Sequence, residues 1–587
     1  FRIDCGGYNP LLGESYGEIA AESRSQHKSQ GFGVSASRGQ SYEYFKTIKG
    51  DAPDSLLLDG VDISWGRIGQ PQITGMVNKI ERDFSAEHPE KSVPALLNLY
   101  KVIYGLHSGY WRTQKLDDLK NLIRDCSGLF MEAYASYQFF VPGGNMSFTF
   151  SATNRLGISV NVDKVSFGGN DLHWNSALPD EKTINQQFTV NLPDSTPISQ
   201  PYWLINPMTK GAYTIKDQNL VGKPQNDPLV ADVLMDFSGI KISYQLPVQF
   251  KSNDPVKGEV YQPVFVEPAV EIRSSPDIAL SKNRVPVTVS TTVVKNDPSV
   301  SVLSVNNTHS GDVVEENTSK DKFYVNRKNQ SGSIHFSAKT NKSEFDKYKV
   351  IIDYPHIPDI IYFPEAQTKI VGVDLKISGK TAGYIPGAGD KIPDALKQLG
   401  YSVTSLGPND FTSTNLKKFD VIVTGVRAYN IHNWLNDVYS TLMEYVKGGG
   451  VLFVQYNTNN NIGPVKAKIG PYPFDISRTR VTDEDAPVEF IDPKNKLLNY
   501  PNVITSDDFS GWIQERSTYH ASGFVKDYRA LFSMHDKGER PDEGGLIYCN
   551  YGKGRFVYSG LVFFRELPAG IPGAYRLFSN LIAKPGP

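Results

Sequence analysis

The chain has 587 residues, enough for several separately buried cores, since a single core stops growing near roughly 250–300 residues. Its 61 Lys and Arg are offset by 63 Asp and Glu, so it lacks the basic field that sequence-independent binding to nucleic acid requires. Three widely spaced cysteines (Cys5, Cys126, Cys549) exclude a disulfide framework and a thiolate zinc cluster, and no apolar run reaches the ~18–20 residues of a membrane span.

Residues 1–55 open with turn chemistry around Cys5–Pro10, and a short helix is expected from Ser15 to Gln30. Ser23, Arg24, His27 and Gln30 then share one face at i, i+4 and i, i+7 offsets. Residues 56–137 read as a helical region. Ile73, Met76, Val77 and Ile80, then Leu96, Leu99 and Ile103, then Leu116, Leu119 and Ile123 keep a 3.6 period, with Pro71, Pro89 and Pro94 at the breaks.

From 138 the texture alternates with period two. Phe148, Phe150 and Ala152 lead into Ile158, Val160 and Val162, predicting one β-sandwich over 138–265 and a second over 266–368. Over 369–587 strands alternate with helices, as in Thr381–Ile385, a helix with Pro393 in its first turn and Gly400 past its end, then Phe419–Thr424. A helix from Trp434 to Val446 and the strand Val451–Gln455 follow. That alternation predicts βαβ units and a mostly parallel, flavodoxin-like sheet. The expected fold class is therefore multidomain α+β, with a short helical N-terminal region, two β-sandwich modules and a C-terminal α/β domain.

Open parallel sheets bind ligands beyond the carboxyl ends of their strands, where the strand order reverses. Asp390, Arg427, Asn430, Gln455, Asn457, Arg565 and Glu566 fall at such ends and are candidates to line one crevice for a polar ligand such as a sugar or carboxylate. Capping of helix ends by the same groups is the plainer alternative. No nucleophile stands out, because the turn Gln455-Tyr456-Asn457 lacks the Ser or Cys of an elbow and Cys549 reads as a buried strand residue. No catalytic residue and no metal ligand is assigned. The motif Ser378-Gly-Lys-Thr381 has Asp374 where a phosphate loop needs its first glycine. The acidic Asp483-Glu-Asp485 run reads as an exposed turn.

The segment Asn9–Gln30, ending in His27-Lys28-Ser29-Gln30, resembles the last helical part of the PIG-L/LmbE-like deacetylase domain. The likeness continues through Asp59–Trp65, His88–Leu96, Gly425–Asn430, Gly470–Phe474 and Phe564–Tyr575, and is similar to long multidomain members of Bacteroidetes type. It implies zinc-dependent removal of an acetyl group from an N-acetylglucosamine-type substrate, with Arg24, His27 and Gln30 lining the deacetylase pocket. The family's Ala-His-Pro-Asp-Asp metal motif is not among these residues, so zinc is expected in a deacetylase domain preceding Phe1, with no cofactor in this chain. The triple glycine Gly448–Gly450 and Tyr551–Gly560 resemble a class I glutamine amidotransferase-like, or ThuA-like, α/β domain without its nucleophile.

The resemblance implies an accessory, glycan-positioning role with an N-acetylated amino-sugar partner, no nucleic acid, and a periplasmic or extracellular setting. Two other readings stand beside it. In one the crevice is an independent sugar-processing hydrolase using Asp390 and Glu566; in the other all domains are spacers.

Overall fold

The computed structural model describes residues 1–27, 30, 32–54, 57–209, 211–223, 229–319, 322–459 and 464–584. The protein is mixed α and β, mostly strand, with several sheets. It divides into two compact units, Phe1–Glu267 with Ile352–Ile361, and Pro268–Ile351 with Tyr362–Pro587.

In the first unit α1 (Tyr16–Ser25) starts on a capping box, with Ser15 Oγ accepting from Glu18 N and the Glu18 carboxylate accepting from Ser15 N. It ends before the expected Gln30. Only Ala21 is buried, so no apolar face holds further turns, and Ser25 Oγ folds back onto Ala21 O at 2.7 Å. Helices α2 (Pro71–Asp83), α3 (Val93–Tyr104) and α4 (Tyr110–Cys126) carry the predicted stripes; Ile73, Leu96, Ile103, Leu119 and Ile123 are buried.

Those stripes share one apolar cluster with a nine-stranded sheet formed among the described residues. Its longer strands are β1 (Leu129–Ala135), β2 (Asn145–Asn154), β3 (Asn161–Phe167), β4 (Thr183–Asn191), β5 (Val230–Phe237) and β6 (Ile240–Asp254). They run in the order β3-β5-β6-β1-β2-β4. Strand β6 joins two halves, its start pairing antiparallel with β5 and Val248–Phe250 pairing parallel with β1.

The second unit begins with β7 (Val270–Ser275), β8 (Ile278–Lys282), β9 (Val287–Lys295), β10 (Val302–Ser319), β11 (Lys322–Thr340) and β12 (Gln367–Val373), ordered β7-β9-β11-β12-β8 with β10 paired to β11. The following layer holds β13 (Thr381–Ile385), α5 (Ile392–Leu399), β14 (Ser402–Ser405), β15 (Val421–Thr424), α6 (Tyr439–Lys447) and β16 (Val451–Gln455). It closes with β17 (Arg529–Ala530), β18 (Leu546–Tyr551), β19 (Gly554–Ser559), α7 (Phe563–Ala569) and α8 (Pro572–Leu581).

This sheet runs β14-β13-β15-β16-β19-β18-β17. The first five strands are parallel and the last two antiparallel. The helix expected from Trp434 starts only at Tyr439, after a short turn at Asn433–Leu435. Asn436 and Asp437 between them are residues whose side chains compete for backbone hydrogen bonds. Chain order reverses at β13, so the switch point lies between the carboxyl ends of β13 and β15.

Candidate functional site

Two glycines set the floor of the switch point. A Cβ on Gly387 would lie 2.2 Å from Val426 O, and one on Gly425 would lie 2.5 Å from Gly387 N and from the Tyr384 hydroxyl. The loops after β13 and β15 thus touch backbone to backbone, which only glycine permits. Gly387 is there for this close approach.

Asp390 lies just beyond that contact. One carboxylate oxygen accepts from the Tyr384 hydroxyl at 2.8 Å and Ile392 N at 3.0 Å; the other accepts from Val426 N at 2.9 Å and the Gln455 amide at 3.1 Å. Four donors saturate it, so Asp390 pins the strand ends together and has no lone pair to spare for proton transfer. Gln455 also donates to Thr424 O at 3.1 Å, while its own buried side-chain oxygen lacks a hydrogen-bond partner.

Asn430 and Asn457 are buried stitches. Asn457 Oδ1 accepts from Tyr429 N at 2.9 Å, and Asn430 exchanges hydrogen bonds with the Thr458 backbone at 2.9 and 2.8 Å. Glu566 is fully buried and accepts Ile513 N on both oxygens at 3.2 Å. Burial pushes its carboxyl up to about 8, against the opposing pull of that amide, Arg516 and Arg565. Asp390 and Glu566 share no hydrogen-bonding partner, so the two candidate acid/base groups are not assembled as a pair.

Arg427 and Arg565 are partly exposed and flank one aromatic cluster. Both act on Tyr456, whose phenol is pushed up by burial and drawn back by the two guanidiniums. Tyr456 stacks on Tyr519 (centroids 5.7 Å apart, 10° between planes) and meets Phe564 at 5.2 Å; all three rings are partly exposed. Arg565 lies over Phe564, 4.9 Å from its centroid, and is held by Glu515 at 3.1 Å and by Gln514. Arg427 Nε is buried without a hydrogen-bond partner, and no described carboxylate pairs with its guanidinium.

Backbone strain marks the same place. Among the described residues of 376–584, the non-glycine residues with left-handed backbone are Arg427 (φ 60°), Gln514 (φ 67°) and Tyr519 (φ 51°), all in this cluster of rings and guanidiniums. Each costs on the order of 1–3 kcal/mol, and such residues gather where a side chain must be presented in one direction. Tyr456, Tyr519, Phe564, Gln514 and Glu515 are absent from the sequence-derived set. Strand periodicity locates the end of β16, and hence Tyr456, but a positive φ leaves no signature in a single sequence.

A second constellation also escaped the sequence. Ser517 Oγ meets His520 Nε2 at 2.7 Å, and His520 Nδ1 meets Asp542 at 2.5 Å, the wiring of a serine-hydrolase triad. Its exposure is inverted: Ser517 and His520 are 0 % exposed while the Asp542 side chain is 34 % exposed. Ser517 is bridged on both sides, to Val481 and to Leu561, with Met534 Sδ at 3.5 Å, which leaves no room for a tetrahedral intermediate. The chain of hydrogen bonds is a brace, and the residue it spans is the strained Tyr519.

Near the N-terminus Arg24, His27 and Gln30 are exposed; Arg24 and His27 lie against Phe32, at 5.7 and 6.0 Å, whereas Lys28 and Ser29 fall outside the described residues. Among the described residues no group of three or more His, Cys, Asp or Glu is arranged to hold a metal ion. No helix there is long and apolar enough to cross a membrane.

No family model matches the chain, and no curated protein matches it. Among solved structures, a β-galactosidase from Rahnella sp. R3 aligns at 16% identity over 35% of this chain and 31% of that one, with a TM-score of 0.22. An exo-β-1,4-mannosidase from Opitutaceae bacterium strain TAV5 aligns at 11% identity over 36% and 37%, with a TM-score of 0.21. Fibronectin(III)-like modules of Clostridium thermocellum CbhA align at 9% identity over 42% and 93%, with a TM-score of 0.13. This chain spans about a third of the length of the two glycosidases. TM-scores this low argue neither fold nor function.

Proposed function

We propose that this chain is the accessory part of a PIG-L/LmbE-like N-acetylglucosaminyl deacetylase, and that it binds glycan in the crevice bounded by Arg427, Tyr456, Tyr519 and Arg565. In this reading the layer over 369–587 is a flavodoxin-like, amidotransferase-related domain that has kept the switch-point crevice without a nucleophile. The strand order β14-β13-β15-β16-β19 supports that assignment. The deacetylation chemistry, with its zinc, belongs to elements carrying the metal motif that these residues lack, and the setting is the periplasm or cell exterior.

The observation that carries the binding role is the pairing of a partly exposed tyrosine stack with two guanidiniums on a strained backbone. The C–H face of a pyranose lies well on aromatic rings, while its hydroxyls accept from arginine; a few directed polar groups in an apolar cleft are what orient a small ligand. Isothermal titration of the intact chain with N-acetylglucosamine oligosaccharides tests the proposal. Saturable binding that is lost in Tyr519→Ala, with the fold retained by circular dichroism, is expected. Absence of binding to any glycan in a broad array would reject it.

A further inference from the structure

We propose that the glycan taken by this crevice carries a carboxylate, and that Arg427 is the residue that binds it, an inference that rests on the carbohydrate reading above. The charged groups around Tyr456 are paired or spent, with one exception. Arg565 is neutralised by Glu515. Arg516 spends its guanidinium on the carbonyls of Ala486 and Phe509 and on the rings of Phe509 and Trp512. Asp390 is saturated by Tyr384, Ile392, Val426 and Gln455, and forms no ion pair with Arg427. Glu566 is turned to Ile513 N, and burial keeps it protonated at neutral pH. Of these charged groups, Arg427 is the one whose guanidinium has neither a hydrogen-bond acceptor nor an ion pair among the described residues; its Nε is buried and the side chain as a whole is partly exposed.

A charged donor left without an acceptor is costly, and native structures pair such groups with protein, solvent or a ligand. The root of the side chain is fixed on both sides: Arg427 N donates to Tyr456 O at 2.9 Å, and Arg427 O accepts from Asn430 N at 2.9 Å. A rigidly rooted guanidinium offers parallel N–H groups that match two oxygens in a plane. A sugar hydroxyl would satisfy one donor and leave the charge uncompensated. A single unpaired cation matches a monoanion, and of the monoanions a ring carboxylate is planar like the guanidinium, whereas a sulfate ester is tetrahedral and a phosphate monoester brings a second charge.

The test is titration of the intact chain with three glycans of equal length: a neutral N-acetylglucosamine oligomer, one alternating N-acetylglucosamine with glucuronate, and a sulfated N-acetylglucosamine oligomer. The glucuronate form is expected to bind at least about tenfold more tightly than the neutral one, by the strength of a charge-assisted pair. In Arg427→Gln that ratio should fall to near one, and Arg427→Lys should recover part of it; melting temperatures within a few degrees of the parent establish that both variants are folded. Equal affinity for neutral and acidic glycans overturns the inference and leaves the carbohydrate reading intact. An acidic preference that survives Arg427→Gln overturns the assignment of Arg427. Tighter binding of the sulfated oligomer overturns the carboxylate. Failure of all three to bind rejects both proposals.

Discussion

Glu566 holds a proton in a place where solvent does not reach it, and that proton ties stability to pH. Its folded value, about 8, lies above the ordinary carboxylate value of the unfolded chain. Between the two the folded protein binds a proton that the unfolded chain has released. Stability therefore falls as pH rises through that window and levels off above about pH 8, with a slope of at most about 1.4 kcal/mol per unit from this group. Glu566→Gln keeps the shape and removes the titration. Its melting temperature should gain on the parent progressively from pH 5 to pH 9, read by calorimetry; a constant gap would show that Glu566 is already ionised. At this scale the sequence was partly legible. Strand ends placed Asp390, Arg427, Gln455 and Glu566 at the right edge of a sheet, but whether a side chain pins backbone, as Asp390 does, or stays unspent, as Arg427 does, is decided by partners distant in sequence.

At the scale of elements, the crevice depends on how closely β13 and β15 deliver their loops. Gly387→Ala would push a methyl group into Val426 O and the Gly425 backbone, where nothing flexible can yield. The expected cost is at least about 2 kcal/mol, comparable with overpacking in a core. Chemical denaturation measures it, and a change below half that value would mean the loops can part. The helices α2 to α5 and the strands β13, β15, β16 and β19 were legible because their apolar periods are long and their ends carry Pro or Gly. The run between β16 and β18 was not. It contributes short pieces such as Ser506–Phe509 and Ala521–Ser522, too brief for any period to register, yet it supplies Gln514, Glu515 and Tyr519 to the site. The end of α1 was overestimated because a shared polar face does not hold a helix together; a buried apolar face does.

At the scale of the whole molecule, the second unit has an apolar cluster that crosses from its first sheet into the α/β layer. Leu280 of β8 and Val371 and Val373 of β12 share an apolar cluster with Leu396, Leu399 and Tyr575. The Gln398 amide donates to Ile278 O at 2.7 Å and its oxygen accepts from Leu280 N at 3.0 Å, while Lys282 reaches Leu399 O at 2.8 Å. The composition change read near residue 368 falls inside β12, so a fragment beginning at residue 369 would expose this core. Such a fragment should aggregate or melt far below one beginning at Pro268, which should unfold in a single transition; two separate transitions in the longer fragment would refute the shared core. Sequence texture registers a change of period, and here the period changes along a strand that serves both layers.

The close approach of Gly387 and Gly425 bears on how this crevice could be re-purposed. The two loops are already in backbone contact there, so enlarging either glycine wedges them apart. In the proposed glycan role, changes of ligand preference would arise at the side chains of Arg427, Tyr519 and Arg565, which can be exchanged without disturbing that contact.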